Sequence, residues 1–147
     1  MKKKILISIP AYNEANNIRP LYKKLNETLE EKRDEVDFEI LFINDGSKDN
    51  TVSEVLSLIE QTDNVSLIDL SRNYGKEIAM SAGFDYSTHD AVITMDADLQ
   101  HPPATIIDMI DLWQQGYEDV YAKRNQRKGE SWFKKTSSKW FYKVLGK

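Results

Sequence analysis

A chain of 147 residues with a hydrophobic fraction of 40% is the size of one domain with one ordinary core. It has no cysteine, which excludes a disulfide framework, a thiolate zinc site and a cysteine nucleophile, so any metal must be held by oxygen ligands. The formal net charge of -4 hides an asymmetry, because residues 120–147 carry nine Lys/Arg against a single acid, Glu130, while the rest of the chain is acidic.

In chain order, Ile5-Leu6-Ile7-Ser8-Ile9 is a β-branched run stopped by Pro10, and Glu39-Ile40-Leu41-Phe42-Ile43 is a second stopped by Asn44-Asp45-Gly46. Both read as buried strands. Between them Ile18, Leu21, Tyr22, Leu25 and Leu29 recur at helical spacing. Asp49 or Asn50 can cap a second helix carrying Val52, Val55, Leu56 and Ile59, followed by a strand over Val65 to Leu70. A third helix spans about Lys76 to Tyr86, and Ala91 to Met95 forms the next strand. Pro102 and Pro103 open a fourth helix with an apolar face of Ile106, Ile107, Ile110 and Trp113, ended by Gly116; Asp119 to Ala122 is expected as a last short strand.

Strands alternating with helices predict an α/β fold, a mostly parallel sheet with helices on both faces. Right-handed crossovers bring every strand's carboxyl end to one edge, where open sheets of this kind bind ligands. The segments expected there are rich in polar side chains: Pro10 to Glu14, Asn44 to Ser47, Ser71 to Lys76 and Asp96 to Gln100.

Asp96 and Asp98 stand two apart at a strand end, so in an extended chain their carboxylates face one side. Close carboxylates repel unless a cation joins them, and Mg2+ or Mn2+ would bind both and bridge a diphosphate. An isolated Asp-x-Asp is a weak signal; a buried strand before it and Gln100, His101 and paired prolines after it strengthen it. Asp45 is placed to form its turn and to accept a hydrogen bond from a nucleotide base. Asn13 and Glu14 can cap the first helix, and Arg72 and Lys76 can reach a phosphate or balance the metal-site acids. His101 is a further candidate ligand, although one histidine beside a Pro-Pro turn is more often structural. The glycines form no phosphate-loop or dinucleotide fingerprint.

Four stretches, Ile9-Pro10-Ala11-Tyr12-Asn13-Glu14, Asn44-Asp45-Gly46-Ser47-Lys48-Asp49-Asn50-Thr51, Arg72-Asn73-Tyr74-Gly75-Lys76 and Met95-Asp96-Ala97-Asp98-Leu99-Gln100-His101-Pro102-Pro103, resemble the family 2 glycosyltransferases. More narrowly they resemble the polyprenyl-phosphate hexose synthases, a subgroup that includes dolichol-phosphate mannose synthase and the bactoprenol glucosyltransferases. The resemblance covers about residues 4–135. It implies a GT-A fold and an inverting transfer of a hexose from a UDP- or GDP-sugar to a polyprenyl (undecaprenyl or dolichyl) phosphate. It also implies that Pro10, Tyr12 and Glu14 line the nucleotide pocket, that Asp45 contacts the base, and that Asp96, Asp98 and Gln100 organise the metal and diphosphate, with Lys76 beside them. Arg124, and more loosely Lys135, match the cations that hold the acceptor phosphate.

A hydroxyl acceptor needs a general base, whereas a phosphate acceptor is already anionic and needs only in-line positioning. No Thr-Glu-Asp base motif and no Gln-x-x-Arg-Trp motif is present, which favours the phosphate. Transfer to a glycan or protein hydroxyl, and a nucleotide-sugar-binding module without turnover, are the alternatives.

From Ser131 to Lys147 a helix would align Lys135, Lys139, Lys143 and Lys147, with Phe133, Trp140, Phe141, Val144 and Leu145 mostly on another side. Such a basic, aromatic helix suits an anionic membrane surface, or it packs on the domain or on another chain. The organisation expected is a catalytic domain over 1–125 and, over 126–147, the start of a membrane-proximal region. No stretch approaches the roughly 18 apolar residues of a membrane span. The chain as it stands is expected to be soluble, part of a longer protein anchored at the cytoplasmic side of the cell membrane. Nucleic acid is not an expected partner, and self-association is left open.

Overall fold

The computed structural model describes residues 2–100 and 102–122. Four strands, β1 (Lys3–Ala11), β2 (Val36–Asn44), β3 (Val65–Asp69) and β4 (Ala91–Thr94), form a parallel sheet in the order β3-β2-β1-β4. Four helices connect or follow them: α1 (Ala15–Leu29), α2 (Thr51–Ile59), α3 (Lys76–Tyr86) and α4 (Ala104–Gln114).

Alternation along the strands explains the layering. Ile5, Ile7, Ile9, Ile40 and Phe42 face one side and pack with Ile18, Leu21 and Leu25 of α1, Val55 of α2, and Ile106 and Ile110 of α4. Leu6, Leu41 and Ile43 face the other side, against Ala79 of α3. The sheet grows outward from β1 through β2 to β3 and then returns to place β4 on the free side of β1. Right-handed crossovers running in opposite directions put α1 and α2 on one face and α3 on the other. The reversal lies between β1 and β4, so the loops after these strands flank a crevice at the carboxyl edge.

Close contact between α3 and β1 requires a small residue. A Cβ on Gly83 would clash with Ser8 Oγ and stand 2.8 Å from Ile43 Cδ1. Ser8 Oγ is itself buried without a hydrogen-bond partner. At the opposite, amino edge of the sheet, Glu39 accepts from Ser66 Oγ at 2.6 Å and Tyr86 Oη at 2.9 Å and pairs with His89 Nε2 at 3.0 Å. That cluster fastens β2, β3 and the end of α3 far from the crevice.

Three expectations are corrected. Pro10 does not stop β1 but lies within it, opposite Ile43. Ser8 O accepts from Met95 N on the β4 side and Ala11 O from Asp45 N on the β2 side, so alternation turns the Pro10 nitrogen toward β4. The β4 register has ended at Ser8↔Thr94, and the missing N–H therefore costs no ladder bond. Asn44 likewise belongs to β2 and pairs with Asp69. The strand expected over Asp119 to Ala122 is not formed: residues 119–122 are irregular, and no backbone bond joins them to β4 among the described residues. Apolar residues make a strand only where a neighbouring strand accepts their hydrogen bonds. The 126 domain boundary and the tail helix lie outside the described residues.

Candidate active site

The four loops at the carboxyl edge are tied to one another by polar side chains. Asn13, at φ 55°, donates its backbone N–H to Ser47 Oγ at 2.9 Å, and its Oδ1 accepts from Lys48 N at 2.8 Å. Asp49 bridges two helix starts, with Oδ2 accepting from Ala15 N at 3.1 Å and Oδ1 from Thr51 N at 2.9 Å. Asp49 rather than Asn50 thus satisfies the exposed amides of α2, because Asn50, the residue at the cap, makes no side-chain capping bond. Burial raises the Asp49 carboxyl, but bonds from the Thr51 hydroxyl, the Thr51 amide and the Ala15 amide outweigh it and hold the group below the usual aspartate value.

Asp45 joins the second loop to the third. It is 4% exposed, and its two oxygens accept from Tyr74 N at 2.7 Å and Gly75 N at 3.0 Å. Gly46, at φ 66°, allows this approach, since a Cβ there would collide with the backbone of Arg72 and Asn73. Arg72 stacks its guanidinium 4.8 Å from the centroid of the Tyr74 ring. A bond with Ser71 and then the adjacent Arg72 charge lower the Tyr74 phenol from its ordinary value.

The third loop reaches the fourth through Lys76, the first residue of α3, whose ammonium pairs with Asp96 Oδ1. Asp96 and Asp98 are not on an extended strand as the spacing argument assumed: β4 ends at Thr94, and Ala97 and Asp98 lie in a turn continued by Leu99 at φ 59°. Ala97 is 3% exposed and packs in the core, whereas Asp96 is half-buried and Asp98 exposed. Burying the small middle residue thus leaves Asp96 facing Lys76 and Asp98 exposed in the turn beyond it. Asp98 Oδ1 accepts from Gln100 N at 3.0 Å.

Among the expected nucleotide residues, Tyr12 is 43% exposed, Glu14 holds Asn17 Nδ2 at 2.6 Å, and Gln100 is exposed. A cavity of about 610 Å³ beside the edge strand β4 takes in Lys76 and Asp96 at one end, with Met80, Phe84 and Met109 farther along. Tyr12, Glu14, Asp45, Asp98 and Gln100 do not line it, so the cavity adjoins the loop site without coinciding with it. His101, Arg124 and Lys135 lie outside the described residues.

The carboxylates suit a hard divalent cation. Lys76 already presents a positive charge to Asp96 and neutralises it, so an entering cation competes with the ammonium for that carboxylate. Among the described residues no cluster of three or more His, Asp or Glu side chains could enclose an ion. A two-carboxylate site must be completed by water and by oxygens of the ligand, the manner in which Mg2+ is usually held beside phosphates.

Several residues that build the loop site were not singled out from the sequence: Asn44, Ser47, Asp49 as a bridge, and Thr51. Asn44 is 3% exposed, donates from Nδ2 to Asp69 Oδ1 at 2.7 Å and accepts from Ser47 N at 3.1 Å. The density of short polar side chains between Asn44 and Thr51 was the available signal, since such side chains bond to neighbouring backbone.

A doubly wound α/β sheet offers its ligand crevice at the reversal point, and the loop that carries Asp96 and Asp98 follows β4 there. The family model for glycosyl transferase family 2 matches residues 6–147, and the chain belongs to that family. An uncharacterized glycosyltransferase of Synechocystis sp. is 44% identical over 147 residues, covering 100% of this chain and 46% of that protein. The bactoprenol glucosyl transferase of Shigella phage SfX is 43% identical over 144 residues, covering 98% of this chain and 47% of that one. The chain therefore spans about half the length of these relatives.

Solved structures show the same fold. A mannosyltransferase from Pyrobaculum calidifontis in complex with GDP-Man and Mn2+ superposes with a TM-score of 0.61 at 23% identity, over 73% of this chain and 31% of that one. Staphylococcus aureus TarS, residues 1–349 with UDP-GlcNAc, gives a TM-score of 0.62 at 21% identity, over 91% of this chain and 38% of that one. The fold is GT-A, as the resemblance implied. Among the described residues, no helix is long and apolar enough to cross a membrane.

Proposed function

We propose that this chain is the donor-binding part of an inverting glycosyltransferase that moves a hexose from a UDP- or GDP-sugar to a polyprenyl phosphate at the cytoplasmic face of the cell membrane. The observation that carries the donor half is the chain of side-chain ties that joins the four loops and ends on Asp96 beside the sheet's reversal point. Identity of 43% to a bactoprenol glucosyl transferase supports the lipid acceptor.

Each residue then has a task. Pro10, Tyr12 and Glu14 of the first loop form one wall of the nucleotide site, and Asp45, from within its turn, fixes the loops around the base. Asp96 and Asp98 would hold Mg2+ or Mn2+, which neutralises the diphosphate as it leaves. Gln100 steadies the turn after Asp98, and Lys76 adds positive charge. An oxygen of the acceptor phosphate bonds to the anomeric carbon as the carbon–oxygen bond to the diphosphate breaks and its electron pair leaves with the diphosphate. No general base is needed, because that oxygen is already anionic. Arg124 and Lys135 are assigned to the acceptor phosphate, with the segment over 126–147 at the membrane surface.

Incubating the protein with radiolabelled UDP- and GDP-hexoses, polyprenyl phosphate and MnCl2 should move label into the organic phase, and chelation should stop the transfer. Label recovered only on glycan or protein would reject the lipid acceptor.

A further inference from the structure

The Lys76–Asp96 pair joins a fixed backbone to a mobile charge. Lys76 opens α3 directly after Gly75, whose N–H is held by the buried Asp45 carboxylate, so the start of its side chain is anchored. Its side chain is nevertheless 58% exposed, and only the ammonium reaches across to Asp96, itself 32% exposed. Four rotatable bonds allow that ammonium to swing within the crevice without disturbing the helix. It sits on the carboxylate assigned above to the metal, and an ammonium and a divalent cation repel when they share one carboxylate.

We infer that Lys76 is an internal counter-ion that exchanges with the metal: it neutralises Asp96 in the metal-free chain and transfers to the donor's diphosphate when the metal enters. The inference rests on the assignment of Asp96 and Asp98 to the metal. It adds a regulatory consequence, because the ammonium disfavours capture of the metal alone, while a nucleotide diphosphate offers it a second anionic partner. Metal and nucleotide therefore bind cooperatively, and linkage makes the effect reciprocal.

The test is binding of MnCl2, followed by the electron paramagnetic resonance of free Mn2+, together with calorimetry of UDP and GDP in the presence of Mn2+. Lys76→Met should bind Mn2+ alone about tenfold more tightly, the scale expected for removing one nearby cation from a solvated site, and should bind the preferred nucleotide with Mn2+ about tenfold more weakly. Lys76→Gln should behave in the same way, and circular dichroism should show both variants folded. Opposite changes in the two affinities are not expected from a purely structural residue. Unchanged or weaker Mn2+ binding in both variants overturns the exchange, as does tighter binding of metal and nucleotide together. Asp96→Asn and Asp98→Asn separate the two levels. If they lose Mn2+ while Lys76→Met leaves Mn2+ binding unchanged, only the exchange fails. If neither wild type nor Lys76→Met binds Mn2+, with or without nucleotide, both fail.

Discussion

The carboxylate of Asp45 holds the backbone of Tyr74, accepting its N–H at 2.7 Å from 29 residues away, and takes the next N–H, that of Gly75, with its other oxygen. One buried side chain therefore sets the position of the loop that ends in Lys76. Asp45→Asn replaces one acceptor by a donor that faces a backbone donor. A charged, part-buried hydrogen bond is worth roughly 1.5–3 kcal/mol, and a loss of that order should appear in urea denaturation. Nucleotide affinity measured by calorimetry should fall as well, because the loop carrying Lys76 is released.

Gly46→Ala should destabilise the same junction by about 1–3 kcal/mol. It introduces a Cβ at positive φ against the Arg72 backbone, which cannot give way as a flexible side-chain tip could. A lowered denaturation midpoint with an unchanged slope is the expected signature.

At Gly83, helix propensity alone would favour alanine by about 1 kcal/mol, yet the added Cβ meets Ser8 Oγ and Ile43 Cδ1. Overpacking of about 1–3 kcal/mol should win. Ser8→Ala removes both the clashing atom and a buried hydroxyl without a partner, so it should be neutral or stabilising alone and should offset part of the Gly83→Ala loss. A double-mutant cycle on the denaturation free energies measures this coupling.

Acid should weaken the fold in a defined direction. Bonds from Gln114 and then Lys32 lower Glu35, and Asp49 is lowered as described above. A carboxyl whose pKa is lower when folded contributes stability above its unfolded value, near 4, and that contribution is lost as the pH falls through the folded value. Thermal melts should therefore decline below about pH 4, and Asp49→Ala should make that decline shallower.

Asp96→Asn and Asp98→Asn should abolish the gain in nucleotide affinity caused by Mn2+. Arg124→Ala should leave nucleotide binding intact and reduce transfer to polyprenyl phosphate by tenfold or more, read as organic-phase label. The two outcomes divide donor chemistry from acceptor binding.

Local signals made much of this protein legible. Ile18, Leu21, Leu25 and Leu29 announced α1 by spacing, and all four are buried. The alternation of strand and helix announced a parallel sheet, and four polar strand ends announced its ligand edge. Composition and periodicity report on a residue's immediate surroundings, which suffices to say that Asp96 follows closely on a strand. Element ends were less legible at Pro10 and Asn44, because whether a proline or an asparagine can belong to a strand depends on which side its neighbours bond.

Only the tertiary structure decided how the loops combine. Sheet order put β4 beside β1, and that placement brings Asp96 within reach of Lys76, 20 residues earlier. Ala97 is buried within a turn instead of lying on an extended backbone, with Asp96 facing Lys76 and Asp98 exposed, and Asp45 is occupied by the third loop's amides because Gly46 lets the two backbones nearly touch. A side chain's hydrogen-bonding capacity is written in its residue type; its partner is set by the crossover that returns a distant strand end to the same edge.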